Sequence, residues 1–207
     1  MSTEPLLHLD LQLVDLDPRA LRLGESWLDE DYLPEALTAG GWGRARRFTC
    51  SAEPHLQLVV LDRPDVGGAT RPRPVIRSNL GRRWVRSFLG QGFTQTYESS
   101  GNTDVPEVVN AIITVVRPEG VSEFDAWYSQ VHVPDILACP GWEAARRFRA
   151  VDGTPMFLAL YELADATMPF QSPEYERAVG WDEVEHHIAG YHGFRTYELS
   201  TEVSSSP

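Results

Sequence analysis

The sequence predicts an α+β fold in which two tandem βαββαβ units form a pseudo-dimeric α+β barrel. Three observations predict it. Gly41-Trp42-Gly43-Arg44-Ala45-Arg46-Arg47-Phe48 recurs 100 residues later as Gly141-Trp142-Glu143-Ala144-Ala145-Arg146-Arg147-Phe148. The same offset pairs Pro18 with Pro118, Trp27 with Trp127, Pro34 with Pro134 and Leu37 with Leu137. Near the end of each half, Gly92-Phe93 then Thr96-Tyr97-Glu98 answers Gly193-Phe194 then Thr196-Tyr197-Glu198, with one extra residue in the first copy that a β-bulge would absorb. Spaced matches with divergent stretches between them mark a duplication.

The elements follow in order. Residues 7–16 alternate in polarity and read as a strand, and 25–39 as a helix ending near Gly40-Gly41. Two strands, 43–51 and 55–63, are joined by the turn Ala52-Glu53-Pro54. A Gly-, Pro- and Arg-rich loop spans 64–74, followed by a helix over 75–89 and a strand over 92–100. The second half repeats this with strands at 109–117, 142–151, 155–164 and 192–200 and helices near 122–138 and 173–189. Phe124, Trp127, Tyr128 and Val131 form the i, i+3, i+4, i+7 stripe of a buried helix face. The repeats span 1–101 and 102–203, linked at Gly101-Asn102-Thr103-Asp104, with 204–207 a disordered tail. Each unit makes an antiparallel sheet with both helices on one face, and a second copy is the natural cover for the bare face.

Composition excludes several functions. A net charge of -12 disfavours phosphate backbones and anionic lipid, so neither nucleic acid nor membrane is an expected partner. All 18 basic residues are arginine, which rules out lysine Schiff-base chemistry. Cys50 and Cys139 do not occupy matching repeat positions and read as free, half-buried thiols. Without a basic n-region or a long apolar stretch in MSTEPLLHLD, the chain reads as cytoplasmic.

Trp127-Tyr128-Ser129-Gln130-Val131-His132-Val133-Pro134, followed by Pro140-Gly141-Trp142 and Arg146-Arg147-Phe148, resembles the EthD-like members of the dimeric α/β-barrel (ferredoxin-like) superfamily. The His-x-Pro in the first helix and the Pro-Gly before an Arg-containing second strand carry the resemblance, which runs through the whole chain twice. The first half has Tyr32-Leu33-Pro34 instead, so any role of the family histidine falls to His132. The superfamily includes polyketide cyclases, lactone isomerases, cofactor-free monooxygenases and haem enzymes. The resemblance therefore implies a fold more sharply than a reaction.

Strand alternation supplies candidate site residues. Leu7, Leu9, Leu11 and Leu13 share one face, expected to meet the helices, and His8, Asp10 and Gln12 the other, expected to face the barrel interior. Leu56, Leu58 and Val60 against His55 and Gln57 repeat the division. The same phase in the second half turns Ile112, Thr114, Val116, Met156, Leu158 and Leu160 inward as an apolar wall. Histidine titrates near neutrality and suits general acid–base work, a carboxylate beside it fixes the tautomer, and amides stabilise a developing enolate. Expected catalytic residues are thus His8, Asp10, His55 and His132. Gln12, Gln57, Thr114, Leu158 and Leu160 are expected to bind substrate, and Arg47 or Arg147 to clamp a carboxylate. Against this stand plainer roles: a hydrogen-bonded interface for His8, Asp10 and Gln12, helix packing for His132, and solvated arginines on an edge strand. Adjacent His186 and His187 on a helix would point about 100° apart and serve one metal poorly.

The function expected is a cofactor-independent cyclase, isomerase or lyase working by proton transfer on a hydrophobic carbonyl-bearing small molecule. A non-catalytic binding protein and a haem- or metal-dependent oxidoreductase are the alternatives. Neither metal nor cofactor is expected, and the duplication suggests a monomer or a weak homodimer.

Overall fold

The computed structural model describes residues 7–64, 83–99, 106–181 and 183–204. The strands are β1 (Leu7–Leu16), β2 (Arg44–Cys50), β3 (Leu56–Pro64), β4 (Val85–Glu98), β5 (Val108–Val116), β6 (Trp142–Ala150), β7 (Met156–Leu163) and β8 (Ile188–Ser204). They hydrogen-bond in the order β1-β3-β2-β8-β5-β7-β6-β4, which closes on itself because β4 also pairs with β1. Every ladder with a described register is antiparallel. The fold is therefore mixed α+β with an eight-stranded closed antiparallel barrel. By contacts the chain divides into two compact units, residues 1–94 with 197–207 and residues 95–196. β4 and β8 each begin in one unit and end in the other, so the unit limits differ from the repeat limits.

In the first unit, α1 (Leu21–Trp27) leads into a single π turn, Leu28–Tyr32, and then α2 (Leu33–Gly40). Pro34 explains the turn. It has no N–H to give the preceding turn and its ring crowds that turn's carbonyl, so the helix widens and Leu33 N–H reaches back five residues to Leu28 C=O. Gly41, at φ 63°, ends the helix in the left-handed region that favours glycine. Trp27, Leu28, Leu33 and Leu37 then pack on Val14, Leu16, Ala45, Val59 and Leu61 of the sheet.

The second unit repeats this geometry with α3 (Val121–Trp127), a π turn over Tyr128–His132 and α4 (Val133–Leu137). Pro134 occupies the position of Pro34, and Val133 N–H reaches Tyr128 C=O. Phe124, Tyr128, Val133 and Ile136 pack on Ile112, Val116, Ala145, Phe157, Ala159 and Tyr161. α5 (Pro173–Ala178) starts at Ser172, whose hydroxyl accepts from Tyr175 N–H at 3.1 Å.

The structure departs from the expected second helix of each half. Of the helix read over 75–89, residues 85–89 belong to β4 and 75–82 lie outside the described residues. The helix read over 173–189 stops at Ala178, before Gly180, and β8 starts at Ile188. The tail beyond Ser204 and the linker 101–104 also lie outside the described residues.

The face assignment is corrected. Val14, Leu16, Val59 and Leu61 pack with the helices, so Asp10, Gln12 and Gln57, on the same face, lie on the helix side of the sheet. Leu9, Leu11, Leu58 and Val60 are buried on the face turned away from the helices. Both faces of this sheet are buried, and alternation separates two faces without saying which carries the helices. In the second unit Ile112 stands opposite Ala159 and Ile113 opposite Leu158. Ile112, Thr114 and Val116 therefore share the helix face with Phe157, Ala159 and Tyr161, while Leu158 and Leu160 lie on the other side. The proposed inward wall combined opposite faces, because a continuous apolar strand gives no register.

Candidate functional site

The π turns create the candidate site. An i→i+5 turn brings residue i+5 over residue i, and both halves place aromatic rings there. In the first unit the ring centroids of Trp27 and Tyr32 lie 5.3 Å apart. In the second, His132 stacks on Trp127 at 5.0 Å with 22° between the planes.

Beneath the first turn, Tyr32 donates its hydroxyl to Gln12 Oε1 at 2.8 Å. Asp10 is 3% exposed and its Oδ1 has no hydrogen-bond partner among the described residues. Burial pushes its carboxyl up to about 7, with the nearby Gln12 side chain holding it partly back. Burial also raises the Tyr32 hydroxyl. Arg47 lies beside this group but is already engaged. It grips Asp29 at 2.7 and 2.8 Å and donates to Gln57 at 2.6 Å.

His8 and His55 do not join that cluster. His8 Nδ1 is hydrogen-bonded to Thr94 at 2.9 Å. His55 sits in the turn before β3, its backbone C=O accepting from Leu16 N–H and its Nε2 4.0 Å from both Asp15 and Glu53. Leu16 is six residues from Asp10 along β1, about 20 Å at strand rise.

The second unit holds His132. His132 is 3% exposed and packed against Trp127, Tyr128 and Trp181, the last two at 4.7 and 5.8 Å between ring centroids. Burial, with a smaller contribution from the positive charge of Arg147, lowers its imidazole to about 4, so it is neutral at physiological pH. Its Nδ1 has no hydrogen-bond partner among the described residues. Arg147 lies 4.4 Å above the Tyr128 ring and binds Asp125 at 2.8 Å and the Ser129 hydroxyl. Thr114 is buried on the same helix-side face of the sheet.

Next to His132, Trp181 walls a cavity of about 550 Å³ with Ile112, Val179, Ile188, Tyr191 and Phe194. The lining is mostly apolar and aromatic, with Glu185 as its charged member. That volume suits a small organic ligand. Tyr191 remains 67% and Phe194 40% exposed, giving the cavity an accessible aromatic rim.

The two arginines expected to clamp substrate, Arg47 and Arg147, are buried partners of helix residues. The duplication extends to these contacts: Arg47 meets Glu25 and Asp29, and Arg147 meets Asp125 and Ser129 at the equivalent positions. Arg46–Asp62 and Arg146–Glu162 are a second matched set. In the described strand order β2 and β6 each have a hydrogen-bonded neighbour on both sides, so the solvated-edge role does not apply to them. Cys50 and Cys139 are free and fully buried.

Sequence reasoning missed Trp181, Ile188, Tyr191 and Phe194. The available signal was a cluster of large apolar residues interrupted by Gly180, Gly190 and Gly193, which suits a cavity wall better than a helix.

In sequence the chain matches no family model and no curated protein. Its fold does match solved structures. An anthrone oxidase-like protein aligns at TM-score 0.72 with 13% identity, covering 98% of this chain and 94% of the other. A ferredoxin-fold protein from Listeria monocytogenes, related to antibiotic biosynthesis monooxygenases, aligns at TM-score 0.53 and 12% identity over 96% of both chains. A mutant chlorite dismutase from Candidatus Nitrospira defluvii aligns at TM-score 0.59 and 9% identity, covering 97% of this chain and 93% of the other. At these identities the likeness is one of fold.

Proposed function

We propose that the chain is a small-molecule enzyme whose reaction begins with proton removal from a hydrophobic, carbonyl-bearing aromatic substrate in the cavity of the 95–196 unit. His132 is the proton acceptor, and no resident cofactor takes part. The observation that carries this reading is the buried imidazole, whose Nδ1 has no partner among the described residues, packed against Trp181 of the cavity wall. A buried polar atom without a partner costs free energy, and such atoms persist where a ligand or water completes them. A neutral imidazole has a free lone pair at physiological pH.

The chemistry is simple. A C–H made acidic by conjugation with the substrate carbonyl, adjacent to it or through an aromatic ring as in anthrone, gives its proton to His132 Nδ1, and the bonding pair passes to the carbonyl oxygen as an enolate. Trp127 and Tyr128 hold the imidazole ring, while Trp181, Tyr191 and Phe194 offer faces for a planar substrate. Reprotonation elsewhere gives isomerisation, attack on a second carbonyl gives cyclisation, and loss of a leaving group gives elimination.

A second reading shares that first step. The anthrone oxidase-like and monooxygenase-related neighbours favour capture of the carbanion by dioxygen. A haem-dependent reaction fits less well. Among the described residues the cavity lining offers no histidine or cysteine as an axial ligand, and its tyrosine, Tyr191, stands exposed at the rim.

Anthrone, a planar ketone with an acidic methylene, is the test substrate. Wild-type protein should bind it with quenching of tryptophan fluorescence and convert it. His132→Gln should keep binding and lose turnover by about 10²–10⁴-fold. Ala189→Trp, at an exposed lining position, should block binding without unfolding the chain. Binding with no turnover of anthrone or related ketones by the wild type would support a carrier, and a Soret band in the purified protein would support haem.

A further inference from the structure

Glu123, His186 and His187 stand together outside the proposed proton-transfer site. One ligand atom from each lies within 4.8 Å of the others. His187 Nε2 is 2.9 Å from Glu123 Oε2, and the two imidazole centroids are 3.8 Å apart. Adjacent histidines on an α-helix would diverge, but Glu185–His187 is a 3₁₀ turn that opens at once into extended chain at Ile188, so both rings gather on one side.

His187 is held in place before any ion arrives. Its C=O accepts from Arg117 N–H at 2.7 Å, and its N–H donates to Val184 C=O at 2.9 Å. The ring rests on Gly120 so closely that a Cβ there would lie 2.2 Å from it. Glycine at this position is a matter of space. Two imidazoles and a carboxylate, with an open side towards solvent, form the donor set of a zinc-type ion and not of magnesium or calcium.

We propose that Glu123, His186 and His187 bind one divalent transition-metal ion of the zinc class. The ion takes the place of the His187–Glu123 hydrogen bond and ties α3 to the turn preceding β8. Glu185 and Ile188, on either side of the histidine pair, line the cavity, so the ion clasps one wall of that cavity. It is a clasp with a vacant coordination position, and none of its ligands is His132. The proposal does not depend on the reaction assigned to the cavity.

The test uses chelator-treated, tag-free protein. Calorimetric titration with Zn²⁺ should show one saturable site per chain, and Co²⁺ should give the visible absorption bands of a low-symmetry four-coordinate ion. His186→Ala, at an exposed position, and Glu123→Gln should each weaken Zn²⁺ binding at least about tenfold while circular dichroism is unchanged. Gly120→Ala should also weaken it, because it displaces the His187 ring without removing a donor atom. Absence of saturable uptake by the wild type would overturn the proposal, as would equal affinity in His186→Ala and Glu123→Gln. Competition by millimolar Mg²⁺ would contradict the donor-set argument.

Discussion

Asp10→Asn should stabilise the protein at neutral pH, although it removes a charge-bearing group from the core. Asp10 is buried, and its carboxyl is raised from 3.8 to about 7. Below pH 4 it is protonated in both folded and unfolded chains and contributes no pH dependence. As pH rises from about 4 to 7 the unfolded chain releases this proton while the folded chain keeps it, so stability is lost across that window. At about 1.36 kcal/mol for each tenfold change in proton affinity, the loss reaches about 4 kcal/mol above pH 7. Asparagine is the residue at the equivalent position of the second half, where Asn110 is equally buried and donates to Arg195 C=O at 3.1 Å. Urea unfolding of both proteins should be followed from pH 4 to 8. His132, lowered to about 4, acts in the opposite sense over nearly the same range, since its contribution is lost as pH falls from 6.5 towards 4. The diagnostic is therefore the difference between variant and wild type, which should grow with pH and level off above 7. Parallel curves, or an Asp10→Asn protein less stable at pH 8, would refute the reasoning.

Two further outcomes follow from the ion pairs and from His132. Asp29→Ala leaves the buried Arg47 without its two-pronged partner and should cost about 2–3 kcal/mol in urea unfolding, below the 3–5 kcal/mol of a fully buried pair because Asp29 keeps 26% of its side chain exposed. The kcat/KM for ketone substrates should stay level from pH 8 down to about 5 and fall only as His132 protonates near 4, whereas an ordinary histidine base would lose activity near 6.5.

The fold was legible because the repeat is written in residues whose spacing the structure needs. Gly41 takes positive φ at the end of α2 and Gly141 in the turn just before β6, and Pro34 and Pro134 force the same π turn twice. A proline inside a helical pattern, at one offset in both halves, was the visible sign of that turn. The side of the sheet was not legible. Leu9 and Val14 are both buried, so polarity could not say which of them meets a helix. His132 was found through its neighbours in sequence, whereas the cavity beside it is built by residues from four separate stretches. His8, Asp10 and His55 share a residue chemistry suited to catalysis, but the register sets His55 beside Leu16, at the far end of β1 from His8 and Asp10, and the histidine side chains go to different partners.

Hydrogen exchange at carbon tests the central claim most directly. Anthrone incubated anaerobically in D₂O with the protein should take up deuterium at its methylene, read by proton NMR, faster than in buffer alone. Exclusion of oxygen isolates the proton-transfer step from any later oxidation. His132→Gln should slow this exchange by about 10²-fold or more while still binding the ketone. Exchange that proceeds equally in His132→Gln, or wild-type protein that binds the ketone without exchanging its proton, would contradict a cavity whose chemistry begins at His132.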